Sequence, residues 1–195
     1  MWQGLGYNRR AKYLQESAKK VVNEFGGTLP QDQKILATFP GIGAATAASI
    51  CTFAFNAPVA FIETNIRRVF IHHFFNDAES VSDKDILPMV ESTLDRENPR
   101  EWYWALMDYG AHLAKTMPNP NRRSKHYTKQ SKFEGSNRQI RGAIVRLLLD
   151  QGDSNLDAIS TALHRSHADV TYALEGLEKD HLIEHRQSVF RLLGK

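Results

Sequence analysis

The feature that most constrains this chain is Phe39-Pro40-Gly41-Ile42-Gly43, followed by the small-residue run Ala44-Ala45-Thr46-Ala47-Ala48-Ser49-Ile50. A short helical pattern, Asp32 to Thr38, leads into it, and Pro40 ends that helix. The two glycines permit a tight turn with open backbone N–H groups. The small residues then carry a second helix to about Phe55. That helix begins at the turn, so its unpaired N–H groups and positive dipole end face outward, which suits a phosphate. The slim flank of Ala44, Ala45, Ala47 and Ala48 lets a nucleic-acid strand come close to the backbone. Gly41, Ile42, Gly43, Ala44, Ala45 and Thr46 are therefore candidate DNA-binding residues. Taken alone, the motif also reads as an ordinary helical corner.

The remaining pattern is mostly helical. Residues 8–25 place Ala11, Leu14, Ala18, Val21, Val22 and Phe25 at helical spacing, with basic residues between them. Gly26-Gly27 ends that helix, and Trp2 and Tyr7 are expected core anchors before it. Further helices are expected over Thr64–Phe75, over Asp83–Leu94 capped by Ser82 or Asp83, and over Trp102–Lys115. In the last, Trp102, Ala105, Leu106, Tyr109 and Leu113 form the expected buried stripe. Adjacent His72 and His73 face different sides of their helix, so no shared metal site is expected.

Composition matters chiefly for what it excludes. A chain of 195 residues, 42% hydrophobic and 24% charged, is long enough for one or two domains with a real core. The net charge of +3 decides little; its distribution says more. The single cysteine, Cys51, lies in an apolar helix and reads as a buried small hydrophobe. One cysteine makes neither an intrachain disulfide nor a cysteine-ligated cluster, and the usage reads as cytosolic. No signal peptide and no bilayer-length apolar run is visible, so no membrane partner is expected.

Glu63 is a lone carboxylate in Val59-Ala60-Phe61-Ile62-Glu63-Thr64-Asn65-Ile66-Arg67-Arg68-Val69, an apolar and basic setting. One reading makes it the N-terminal cap of the Thr64–Phe75 helix, complementing the dipole. Arg67 and Arg68 follow, where they bind phosphate or pair with carboxylates.

Four stretches carry a resemblance: Trp2-Gln3-Gly4-Leu5-Gly6-Tyr7, Phe39-Pro40-Gly41-Ile42-Gly43, Ile62-Glu63-Thr64-Asn65-Ile66-Arg67-Arg68-Val69 and Ala105-Leu106-Met107-Asp108-Tyr109-Gly110-Ala111. Their order and spacing over residues 2–117 resemble the helix-hairpin-helix DNA glycosylases, and most of all the MutY-type adenine glycosylases. The resemblance implies that Glu63 stands where the family has its catalytic aspartate, one methylene further out. A fixed carboxylate there would stabilise the oxocarbenium-like charge that builds on the sugar. Family members with strand-cleaving activity carry a lysine nucleophile at the position of Ala45, so a monofunctional glycosylase is expected. The resemblance also implies a monovalent cation at the hairpin carbonyls. The four cluster-ligating cysteines that usually follow have no counterpart after Ala111, so no iron–sulfur cluster is expected. Family helices that precede this segment, including one bearing a glutamate general acid, have no counterpart, so the first domain is expected to be incomplete at its N-terminus.

Lys115 to Arg141 holds eight basic residues, Arg122, Arg123 and Lys125 among them, against Glu134 alone. Its prolines and asparagines read as extended chain, either a solvated linker or a strap on the DNA backbone. Beyond it the pattern changes to helices over Asn137–Asp150, Asn155–Leu163 and His167–Asp180, then two strand-like runs within 182–192. Three helices and a ribbon resemble a winged helix-turn-helix domain, with Arg165 and His167 near the start of the recognition helix. A protein-interaction module is the other reading.

The expected fold is thus mainly α: a helix-hairpin-helix glycosylase-type bundle over 1–117, a basic linker over 118–136 and a small winged-helix-like domain over 137–195. The expected function is excision of a flipped base from double-stranded DNA, with adenine opposite G or 8-oxoguanine as the leading substrate. The alternatives are a non-catalytic DNA-binding protein and a transcription regulator led by the winged helix. The expected localisation is cytoplasmic, nucleoid-associated in a bacterium or archaeon, and no metal-binding residue is singled out.

Overall fold

The structure, a computed structural model, describes residues 9–129 and 132–193. Trp2, Tyr7 and the rest of the first resembling motif lie outside them. The chain groups into two units, Ser17–Lys129 and Gln130–Lys195, the latter joined by Met1–Glu16. Among the described residues no helix is long and apolar enough to cross a membrane.

The larger unit is helical: α1 (Arg9–Phe25, which begins in the other unit), α2 (Gln33–Leu36), α3 (Ala44–Phe55), α4 (Thr64–Phe74), α5 (Asp83–Thr93) and α6 (Pro99–Thr116). Leu36, Ala47 and Cys51 form a small cluster under the turn between α2 and α3. The main core joins Phe61, Ile66, Phe70, Ile71, Ile86, Val90 and Tyr103. Tyr103 is fully buried, stacked on Phe61 at 4.2 Å between ring centroids. Its hydroxyl accepts from Phe61 N–H at 3.0 Å and donates to the Val59 carbonyl at 3.1 Å. Burial pushes its pKa up to about 12. This polar handle turns α6 by one residue from the expected face. Tyr103, Gly110 and Leu113 point inward, Trp102 and Leu106 pack at the margin, and Ala105 and Tyr109 are exposed. On α1 none of the expected apolar residues is fully buried, and Leu14 and Val22 stand open.

The stretch drawn from sequence as an extended linker is instead folded against α4. Pro120–Arg123 forms a 3-10 turn, and residues 124–125 pair with Val81 through Lys125 N–H to the Val81 carbonyl at 2.9 Å. The described structure thus continues the helical unit to residue 129 rather than 117. The cause is side-chain hydrogen bonding, which leaves no mark in hydrophobic periodicity.

The second unit contains α7 (Asn137–Gln151), α8 (Leu156–Leu163), α9 (His167–Lys179) and an antiparallel ribbon of β1 (Ile183–Arg186) and β2 (Val189–Leu192). Ile140, Ile144, Leu148, Ile159, Val170, Leu174, Leu177 and Ile183 make its core. Ser154 adds a bridge to Phe190, giving three helices with a small wing. Gln187 and Ser188 both take positive φ (45° and 69°), as a two-residue primed turn requires.

Candidate active site

Phe39 (3% exposed) fixes the hairpin by stacking on Phe25 at 5.8 Å. Lys20 lies over the Phe39 ring at 5.0 Å and donates to Thr38 Oγ1 at 3.1 Å. Gly41 adopts φ +72°, a conformation that glycine takes without a Cβ penalty. Ile42 N–H closes the turn on the Phe39 carbonyl at 3.1 Å, and Gly43 is the extended N-cap of α3. Gly41, Gly43, Ala44, Ala45 and Thr46 are exposed and Ile42 is half-buried, while Ala47 and Ala48 turn inward. The hairpin therefore presents the first-turn N–H groups of α3 as the sequence implied. Among the described residues the carbonyls of Pro40 and Gly41 accept no backbone hydrogen bond.

From α3 the chain turns at Asn56, left-handed at φ 56°, and runs extended past Tyr103 to Glu63. Glu63 is the N-cap of α4, and its Oε2 accepts from Asn65 N–H at 2.7 Å. Among the described residues its Oε1 accepts no hydrogen bond, and the side chain is half-buried. One carboxylate oxygen is thus held by the helix end and the other is available.

The start of α4 beyond this cap is polar and tightly joined. Arg68 is buried (7% exposed). Its guanidinium donates to Asn65 Oδ1 at 2.5 Å, to the Gly110 carbonyl at 2.6 Å and to Asn119 Oδ1 at 3.2 Å. Asn121 (4% exposed) donates to the Thr64 carbonyl at 2.9 Å. Gly110 lets α6 reach α4: a Cβ there would sit 2.4 Å from the Asn65 carbonyl oxygen. The Met107-Asp108-Tyr109-Gly110 motif acts through this closeness rather than through Asp108, which is exposed.

Three of the arginines expected on DNA are already engaged. Arg67 forms a two-pronged pair with Asp83, Nε to Oδ1 at 2.7 Å and Nη2 to Oδ2 at 2.8 Å. The hydrogen bond to Arg67 holds the Asp83 carboxyl below the usual range, and the same bond raises Arg67. Arg123 donates to the carbonyls of Phe75, Asn76 (2.7 Å) and Ile71 (3.2 Å), closing the C-terminal end of α4. Arg165 makes a 3.4 Å contact with Gln139 Oε1 on α7, and His167 pairs with Asp157 at 3.2 Å. Exposed Arg122 and Lys125 remain beside the 3-10 turn. The exposed side of α9 carries Asp169, Tyr172 and Glu175, a charge that opposes a phosphate. His73 Nε2 lies 2.9 Å from the Tyr109 hydroxyl, and its ring meets that of His72 edge-on at 4.6 Å between centroids. Sequence reasoning missed Asp83, Asn119 and Asn121. The only signal was the alternation of Asn119, Asn121 and Arg123 at and just before the turn.

No protein-family model matches the chain. An adenine DNA glycosylase of Mycolicibacterium smegmatis is 29% identical over 200 residues, which cover 94% of this chain and 65% of that protein. A thymine/uracil-DNA glycosylase of Methanothermobacter thermautotrophicus is 30% identical over 106 residues, covering 53% of this chain and 48% of that protein. A solved thermostable thymine-DNA glycosylase overlays at a TM-score of 0.46 and 25% identity, covering 60% of this chain and 54% of that one. The chain spans about two thirds of the first relative's length or less in each case. Along nearly its whole length the chain is similar to adenine DNA glycosylases, with the hairpin and the Glu63 cap in place.

Proposed function

We propose that this chain is a monofunctional base-excision glycosylase of double-stranded DNA, with adenine opposite G or 8-oxoguanine as its leading substrate. The observation that carries the reading is Glu63: a half-buried carboxylate with one oxygen fixed by Asn65 N–H and the other open. The hairpin N–H groups at Ala44 to Thr46 would hold a phosphate and position the strand. The target base would leave the stack. Its bond to C1′ would break, the electron pair departing with the base, which takes up a proton. Glu63 would stabilise the cationic sugar until water adds at C1′ and leaves an abasic site. Ala45 has no amine for a Schiff base, so the strand would stay intact. The Pro40 and Gly41 carbonyls would hold a monovalent cation, which would stiffen the turn.

A second reading keeps DNA binding without chemistry. It is favoured by the commitment of Glu63 Oε2 to the helix cap. Single-turnover assays on duplexes with A opposite G or 8-oxoguanine, and T or U opposite G, developed with alkali, separate the two. Wild-type protein is expected to yield abasic sites, and Glu63→Gln to slow release by about a hundredfold or more with affinity nearly unchanged. Equal rates for the two proteins, or no release by wild type, would overturn the proposal.

A further inference from the structure

Arg67 leaves α4 one turn after Glu63, its own N–H donating to the Glu63 carbonyl at 2.8 Å. Glu63 is the extended N-cap rather than part of the helix, yet its charge reaches the Arg67 guanidinium through space and raises the Arg67 pKa. A guanidinium on the open oxygen of Glu63 would be adverse to the proposed chemistry. It would offset the negative charge that the cationic sugar needs and occupy the atom facing it. In this chain the guanidinium is drawn elsewhere. Asp83, the first residue of α5, grips it through both oxygens, at 2.7 and 2.8 Å. The grip is sheltered, since the Arg67 side chain is 15% exposed and that of Asp83 31%. His126 Nε2 stands 3.9 Å from Asp83 Oδ2. Asp83 itself is fixed by the start of α5, where Ser82 N–H and hydroxyl both donate to Asp85 Oδ2, at 2.9 and 2.7 Å.

We propose that Asp83 is a positioning residue for the reaction: by holding Arg67 it keeps the guanidinium off Glu63 and leaves that carboxylate charged and open to the sugar. Nothing about the helix-capping role of Glu63 requires this. The sheltered, two-pronged geometry of the pair is what an acidic clamp needs and what a solvated surface pair lacks. The inference rests on the glycosylase reading above.

The experiment compares wild type, Asp83→Asn, Arg67→Gln and the double variant Asp83→Asn/Arg67→Gln. Single-turnover base release is measured at saturating enzyme, and DNA affinity is measured across a salt series. Asp83→Asn is expected to slow release by about tenfold to a hundredfold. At the same time it should bind DNA more tightly, with a salt slope steeper by about one, because a cation has been unmasked. The double variant should recover most of the lost rate, since the intruding guanidinium is gone. A merely structural pair predicts the opposite: slower release, weaker binding and no rescue. Release by Asp83→Asn at the wild-type rate, or a double variant as slow as Asp83→Asn, would overturn this inference and leave the glycosylase reading standing. No release by wild type would overturn both.

Discussion

At the scale of single residues, the site depends on two small geometric facts. Glu63 is both a cap and a candidate catalyst, which its two oxygens allow: one accepts from Asn65 N–H while the other, among the described residues, accepts no hydrogen bond. The family resemblance led to this position but left two readings open, because capping and catalysis ask for the same residue type at a helix start. Gly110 is the other fact. A methyl group there would meet the Asn65 backbone at 2.4 Å, and a backbone neighbour cannot swing aside as a side chain can. Gly110→Ala is expected to destabilise the protein by about 3 kcal/mol. That should lower its melting temperature by roughly 6 °C or more. A melt within a degree of wild type would show that α6 passes α4 less closely than the structure has it.

At the scale of elements, most helices were legible because their apolar residues recur at helical spacing and Ser, Asp and Gly mark their ends. The hairpin was legible for the same reason, from Pro40, Gly41 and Gly43. The residues from 117 to 125 were not. Arg122, Arg123 and Lys125 look alike as letters, yet Arg123 reaches the carbonyls of α4 while the other two stay exposed. Charge in a sequence shows potential, and only the fold shows what satisfies it. Helix α9 teaches the same lesson. Its position suits a recognition helix, but Asp169 and Glu175 lie on its open side, and His167 is held by Asp157. Arg122→Gln and Lys125→Gln are each expected to lower the salt slope of DNA affinity by about one, whereas Arg165→Gln leaves it unchanged. A slope that falls for Arg165→Gln would restore α9 as a DNA contact.

At the scale of the molecule, the polar groups joined at the start of α4 come from distant parts of the chain: Asn65 and Arg68 from α4, Gly110 from α6, Asn121 from the 3-10 turn and Asn119 from its cap. No local pattern announces such a set, which is why the motifs were readable and the support beneath them was not. One feature of that support reaches further. Asn121 holds the first carbonyl of α4 and Arg123, two residues on, holds its last ones, so a single short splint clamps the helix like a beam fixed at both ends. A beam held that way cannot fray. The amides of α4 should therefore exchange with deuterium as one block, at the free energy of opening the entire helical unit, with no gradient from either tip. Removing the Arg123 guanidinium should loosen the far tip first, and the order in which the amides then exchange would show how far rigidity carries back toward Glu63.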